Sequence, residues 1–120
     1  MFSLHKIFSM TITWDDFQKV DIRAGTITSV ADFPKARKPA YKLVIDFGPE
    51  IGLKNSSAQI THHYKKEQLL DRQVIAVVNF PPKQIADFIS ECLVLGVYDD
   101  NNDVILLAPS GPVSNGRKIG

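Results

Sequence analysis

Residues 20–30, Val-Asp-Ile-Arg-Ala-Gly-Thr-Ile-Thr-Ser-Val, form the stretch of sequence that decides the fold. Apolar side chains occupy the even positions from Val20 to Ala24, which is the period of a half-buried β-strand. The phase of this alternation changes at Ile27, and Gly25 stands where a β-bulge would shift the register. The pattern therefore predicts a bulged first strand.

Further strands are predicted along the rest of the chain. Residues 41–47 alternate cleanly between apolar and polar side chains, and residues 74–78 are apolar on both faces, as is typical of a central strand. Residues 53–60 read as a polar strand. Residues 92–98 and 104–108 are predicted as two strands joined by a turn rich in Asp and Asn.

Short helices and a loop complete the predicted fold. Thr13 precedes an acidic residue by three positions, as in a weak capping box, and Trp14 and Phe17 follow at helical spacing. Residues 61–70 can form one or two helical turns, whereas residues 80–90 show no sheet periodicity and are predicted to be a loop. The whole pattern predicts a mainly β, five-stranded OB-fold barrel with a short N-terminal helix and a helical insertion before strand 4.

Composition limits the class of protein. The 120 residues suit a single domain, predicted over residues 13–120 behind a loose extension at residues 1–12. The formal net charge is only +1, so any nucleic-acid binding must rest on local basic patches. The single cysteine, Cys92, has no partner in the chain, which favours a reducing, cytoplasmic setting. Because no long apolar run occurs, no membrane insertion is expected.

Candidate metal and catalytic residues are few. His62 and His63 are adjacent, but neighbouring residues project in different directions and no cysteine or acidic cluster completes a tetrahedral set. Residues 99–103 open like an EF-hand loop, yet neither its glycine position nor its glutamate position holds the required residue. Cys92 lies in an apolar strand, where a thiol stays protonated and inert. The sequence thus predicts no metal, no cofactor and no catalytic activity.

Two sets of residues are candidates for ligand binding. The first, basic set flanks the loops and the polar strand that an OB barrel presents to ligands: Arg23, Lys35, Arg37, Lys38, Lys54 and Lys83. Lysines are frequent on any solvated surface, so this set alone leaves RNA binding open. The second set could hold an extended, apolar-rich peptide against the polar strand: Lys54, Ser56, Gln59, Phe80, Ile85 and Phe88. The alternative that its apolar members only cover the end of the barrel also stays open.

A homodimer is predicted from apolar surface that a lone barrel does not cover. The last strand is apolar on both faces, and the N-terminal helix carries two aromatic side chains. The predicted interface residues are Trp14, Phe17, Val104, Ile105 and Leu107.

Several segments resemble the tRNA-binding domain family, an OB-fold module of structure-specific tRNA-binding proteins and of appendages on some aminoacyl-tRNA synthetases. The segments are 20–25 (Val-Asp-Ile-Arg-Ala-Gly), 74–83 (Val-Ile-Ala-Val-Val-Asn-Phe-Pro-Pro-Lys) and 90–96 (Ser-Glu-Cys-Leu-Val-Leu-Gly). Within that family, four others most resemble the CsaA subgroup: 33–37, 43–48, 56–61 and 113–120. The resemblance covers nearly everything from Phe17 to Gly120.

The resemblance implies a homodimer whose N- and C-terminal segments form the interface. CsaA-like proteins are described as export-related chaperones, so unfolded preproteins and the translocation ATPase are expected partners, with tRNA as the alternative ligand. In the wider family the Ser-Glu segment after the fourth strand lies at the tRNA site, which assigns Ser90 and Glu91 to tRNA. For a peptide ligand, Asp87 and Glu91 are expected to complement positive charges. Asp87 and Ile89 depart from the family pattern, in which glycine and a charged residue are frequent.

Overall fold

The computed structural model describes residues 10–120, and its fold is mainly β, as predicted. Most of the predicted extension, residues 1–12, lies outside the described residues. The helices are α1 (Trp14–Gln18), α2 (Gly48–Ile51) and α3 (Lys66–Leu69). The strands are β1 (Ile22–Asp32), β2 (Tyr41–Asp46), β3 (Leu53–Ala58), β4 (Gln73–Val77), β5 (Lys83–Ile85), β6 (Phe88–Ser90), β7 (Leu93–Val94), β8 (Gly96–Tyr98) and β9 (Val104–Leu106).

The principal sheet is a nearly closed barrel of five antiparallel strands in the order β3-β2-β1-β4-β7. The two edge strands approach each other, and hydrogen bonds join β3 to the segment that directly precedes β7. The hydroxyl of Ser56 donates to the carbonyl oxygen of Cys92 at 3.0 Å, and the N–H of Glu91 donates to the carbonyl oxygen of Asn55 at 2.8 Å. The five-stranded barrel is therefore confirmed, and β8 and β9 form a separate hairpin beside it.

The core fills the barrel because alternate residues of each strand point inward. Leu43 and Ile45 of β2, Ile27 of β1 and Val74 of β4 are fully buried, as is Phe47, which directly follows β2. Val74 begins a run through Val77 in which every side chain is buried, so the prediction of a doubly buried strand is confirmed. α3 supplies Leu69 to the same core, and this helical turn before β4 was predicted.

The bulge in β1 lies at Thr28, not at Gly25. The register against β2 shifts between Ile27 and Ser29. Gly25 is required for a different reason, since a Cβ atom there would lie 2.7 Å from the ring of Phe47. The glycine thus lets the core ring approach the backbone of β1, and the bulge itself has no glycine signal in the sequence.

Residues 80–90 are not a plain loop, because β5 and β6 form a two-stranded hairpin. The two residues between the strands are Ala86 and Asp87, and Ala86 has φ +53°. Hairpin loops of this length usually contain Asn-Gly or a similar pair, which tolerates positive φ. The usual sequence signal is therefore missing, and the strands are too short to show a period.

The strand predicted at residues 92–98 is interrupted at Leu95. Its first part pairs with β4, and its second part turns away to pair with β9. Leu95 joins the two, since its N–H donates to Ile75 of β4 and its carbonyl accepts from Leu107. Gly96 allows β9 to lie close against β8, because a Cβ atom at this position would overlap the side chain of Val104.

Helix α1 begins as predicted, with a full capping box at Thr13. The Thr13 hydroxyl accepts from the N–H of Asp16 at 3.1 Å, and the Asp16 carboxylate accepts from the N–H of Thr13 at 3.0 Å. No helix among residues 10–120 is long and apolar enough to cross a membrane.

Candidate functional site

A groove of about 860 Å³ runs between the loop at residues 33–40, the outer face of β3 and the β5–β6 hairpin. We call it the basic groove, and its lining includes Lys35, Arg37, Lys38, Lys83, Gln59 and Ile85. No carboxylate is among the described residues that line it. Four of the six predicted basic residues and two of the six predicted peptide contacts therefore meet in one place, although more than twenty positions separate Gln59 from Lys83.

One wall of the basic groove is joined to the other by an ion pair. The ammonium group of Lys35 lies 3.1 Å from the Asp87 carboxylate at the tip of the β5–β6 hairpin. The hydrogen bond from Lys35 holds the pKa of Asp87 below its usual value. Because both side chains are largely exposed, the pair contributes little to stability, but it neutralises the one acidic side chain of the hairpin tip.

Phe88 was predicted to lie on a free loop. It lies instead on β6, where its ring packs against the buried ring of Phe33. The two ring centroids are 5.5 Å apart in an edge-to-face arrangement. The ammonium group of Lys42 lies 5.6 Å from the centroid of Phe33 and 5.9 Å from that of Phe88. Phe88 therefore anchors the hairpin to the barrel, and its truncation would disturb the fold as well as any ligand. Phe80 is 53% exposed but is not part of the groove lining.

Ser56 is not available to a ligand, contrary to the prediction, because its side chain is 1% exposed inside the barrel. The two-residue period of β3 turns Ser56 and Ala58 inward, whereas Ser57 faces the basic groove, as does Gln59 just beyond the strand. Ser57 was not among the contacts predicted from the sequence. Strict alternation within the polar strand would have found it, since Ser57 and Gln59 have the same parity.

Ser90 and Glu91 contact the backbone of β3. The N–H of Ser57 donates to the Ser90 hydroxyl at 3.1 Å, and the N–H of Asn55 donates to the Glu91 carboxylate at 3.0 Å. These bonds hold the groove-facing strand against the end of β6 and the residue that follows it. Both side chains thus support a wall of the basic groove, while their roles in tRNA binding remain a prediction from the family.

Arg23 lies away from the basic groove, contrary to its grouping with the other cations. Its guanidinium is largely buried, with Nε 2.6 Å from the Asp21 carboxylate and one terminal nitrogen donating to the carbonyl oxygen of Gly116 at 3.0 Å. The hydrogen bond with Asp21 raises the pKa of Arg23. Arg23 therefore ties β1 to the C-terminal segment. Lys54, on β3, also lies outside the groove lining.

The predicted interface residues lie on two apolar areas of the surface. Trp14 is 64% exposed, and its ring centroid lies 5.5 Å from that of the partly exposed Phe17. On β9 and just beyond it, Ile105 and Leu107 are exposed, while Val104 packs partly against the core. β9 is apolar on both faces, as predicted, but only Leu106 is buried in the core of the chain. Ile105 and Leu107 are left exposed.

Cys92 is buried, as predicted. Burial raises the pKa of the Cys92 thiol to about 11. The thiol is therefore protonated at neutral pH, and the reactive form is the thiolate.

The two adjacent histidines have acidic neighbours in the folded chain. Nε2 of His62 lies 3.5 Å from the Asp103 carboxylate, and Nε2 of His63 lies 2.7 Å from the Asp99 carboxylate. The β8–β9 turn brings both carboxylates to the histidines across a separation of more than thirty residues. The sequence led us to expect no acidic cluster that completes a set of metal ligands, and the folded chain brings two carboxylates to the histidines.

Comparisons with known proteins agree on the fold and the family. Residues 22–118 match the family described as "Putative tRNA binding domain". The CsaA chaperone of Picrophilus torridus is 59% identical with a TM-score of 0.86, and the similarity covers 92% of this chain and 100% of that one. The CsaA chaperone of Bacillus anthracis is 50% identical with a TM-score of 0.86, covering 92% and 99%.

A second kind of relative is much longer than this chain. The methionine–tRNA ligase of Pyrococcus abyssi is 37% identical over 110 residues, which are 92% of this chain and 15% of the ligase. The chain thus spans only a small part of the ligases that it matches. The similarity bears on that part alone.

Proposed function

Because the chain belongs to the tRNA-binding domain family and is similar to CsaA chaperones along nearly its whole length, we propose that it is a cytoplasmic chaperone for extended segments of unfolded precursor proteins. The observation that carries this proposal is the basic groove. Ile85 and three alanines give it apolar contact area, while Ser57, Gln59 and Gln84 supply polar groups beside the exposed face of β3. An extended chain needs both kinds of contact.

The charge of the groove sets the kind of segment that it should accept. Positively charged peptides were expected from Asp87 and Glu91, but Asp87 is paired with Lys35 and Glu91 bonds the backbone of β3. Of the cations that line the groove, Lys35 alone forms an ion pair with a carboxylate of the described residues. Apolar segments flanked by acidic residues should therefore bind more tightly than the same segments flanked by lysine.

Replacing Ile85 with alanine should weaken peptide binding about ten-fold, because a truncated interface anchor costs about 1–3 kcal/mol. The probe is a fluorescein-labelled peptide with alternating apolar residues and acidic ends, followed by fluorescence anisotropy. Ile89→Ala is the matched control, since Ile89 lies on the same hairpin, is 52% exposed and is not part of the groove lining. Equal losses in both variants, or no binding by the parent protein, would contradict the groove assignment.

A second candidate ligand is tRNA, and a specific observation favours it. Lys35, Arg37, Lys38 and Lys83 line one groove, and among the described residues only Lys35 of these four is paired with a carboxylate. A cluster of this kind attracts a phosphate backbone despite a net charge of only +1. Such binding would depend on backbone and shape more than on base sequence. The family supports this ligand as well, and its test is given in the Discussion.

The proposal includes a homodimer. Trp14 on α1 and Ile105 on β9 are apolar and 64% and 42% exposed, and exposed apolar surface of this kind commonly marks an interface. Light scattering should give twice the mass of one chain, and Ile105→Asp should shift the protein to the monomer because a carboxylate cannot be buried unpaired. Leu53→Asp is the matched control, since Leu53 is 64% exposed and lies outside the proposed interface. A dimer that persists in Ile105→Asp would contradict this interface.

As an export-related chaperone, such a dimer would hand its precursors to the translocation ATPase.

A further inference from the structure

A cluster of two imidazoles and two carboxylates lies where the turn after β3 meets the β8–β9 hairpin. One potential ligand atom from each of His62, His63 and Asp103 lies within 4.8 Å of the others. The side chain of Asp99 lies beside them, with its carboxylate 2.7 Å from Nε2 of His63. These residues are far apart in the sequence, so only the folded chain assembles the cluster.

The local backbone explains how adjacent histidines can face the same partner. His62 and His63 lie in a turn, residues 61–63, so their side chains do not alternate across a pleat as they would in a strand. Their ring centroids are 4.8 Å apart, and the rings are nearly perpendicular at 84°. The assumption that neighbours must diverge is valid for extended backbone but not for this turn.

Asp99 is held in place by the turn that it begins. One of its oxygens accepts from the N–H groups of Asn101 and Asp103, both at 2.9 Å, which leaves the other oxygen facing His63. Asp99 is therefore an oriented partner for one imidazole.

We propose that His62, His63 and Asp103 bind a divalent transition-metal ion of the zinc class, with Asp99 as the outer partner that orients His63. Imidazole nitrogen and carboxylate oxygen are ligands that such ions prefer. A histidine ligand usually donates its other ring N–H to a carboxylate, as the pairing of Nε2 of His63 with Asp99 allows. Nδ1 of His63 then carries the lone pair that the metal requires.

The dimensions of the cluster fit this ion after a small adjustment. Zinc bonds of about 2.0–2.1 Å place tetrahedral ligand atoms roughly 3.3 Å apart, so the present spacing must contract by somewhat more than 1 Å. The His62 side chain is 66% exposed and can turn without disturbing the core. A cleft of about 590 Å³, lined by His62, Asp103 and Lys38 among others, leaves room for water as the fourth ligand.

A bound ion would reinforce the connection between two parts of the fold that already meet through the ion pairs of both histidines and through the N–H of Leu106, which donates to the Tyr64 hydroxyl at 3.0 Å. It would tie the turn before α3 to the β8–β9 hairpin, whose strands pair with each other beside the principal sheet in the described part of the chain. Metal that binds only the folded protein raises its stability by mass action. The same cleft shares Lys38 and Gln59 with the basic groove, so the site lies at one end of the candidate ligand surface.

The test is calorimetric titration of the tag-free full chain with zinc chloride after treatment with a chelator. We expect one zinc ion per chain and a rise in the melting temperature when zinc is added. With cobalt in place of zinc, we expect the visible absorption bands of a four-coordinate site. His62→Ala and His63→Ala should each weaken binding by ten-fold or more, and Asp99→Asn should weaken it about ten-fold, as loss of an outer partner does.

The chain offers a matched control in the same turn. Asp100→Asn removes an exposed carboxylate that is not among the cluster residues and should leave zinc affinity unchanged. Melting curves in the presence of chelator show whether each variant is folded. Absence of zinc binding by the parent chain, or equal affinity in folded His62→Ala and His63→Ala, would overturn the proposal.

Discussion

Replacing Phe47 with alanine is expected to lower the free energy of unfolding by about 3–5 kcal/mol, the usual cost of truncating a fully buried aromatic side chain. Phe47 is 0% exposed and is among the largest fully buried side chains. Its ring fills the space that Gly25 leaves open beside β1, so the surrounding strands cannot simply collapse into the cavity. Because a domain of this kind is stable by only about 5–15 kcal/mol, the loss should be readily visible in urea denaturation followed by circular dichroism.

Phe80→Ala is the matched control for this stability prediction. Phe80 is the same residue type but 53% exposed, and a substitution at such a site usually changes stability by about 0.5 kcal/mol or less. The midpoint of unfolding should therefore fall far more in Phe47→Ala than in Phe80→Ala. Similar midpoints for the two variants would contradict the placement of Phe47 in the core.

If tRNA is a ligand, the double variant Lys38→Ala/Lys83→Ala should lose about 60-fold in affinity at 0.1 M salt. Each phosphate contact contributes a slope of about −0.9 to the dependence of log affinity on log salt, which is a factor of about eight at that concentration. Both lysines line the basic groove, from the loop after β1 and from β5. The salt slope should also become about two units shallower.

Lys65→Ala is the control for this experiment, because Lys65 is an exposed lysine outside the groove lining. It should leave the salt slope nearly unchanged. A parent protein that binds no tRNA would remove this candidate ligand, and a double variant with the parent's slope would show that phosphates do not follow the basic groove. Competition between tRNA and the labelled peptide then reports whether both ligands occupy one surface.

Much of the barrel could be predicted from local sequence patterns. β1, β2 and β4 can be recognised in the sequence, because burial on one face or on both requires a regular pattern of apolar side chains. The capping box at Thr13 likewise depends on residues three positions apart. The family resemblance was also visible in short segments, and the matched family confirms it.

The candidate sites needed the tertiary structure. The β5–β6 hairpin has no turn signal, since Ala86 adopts positive φ where glycine or asparagine is usual. The pairing of Lys35 with Asp87 and the meeting of His62 with Asp103 join residues more than forty positions apart. Local periodicity therefore determined which residues form the barrel, while contacts between distant segments decided which side chains share a groove or a cluster, because those contacts depend on strand pairing that no local pattern encodes.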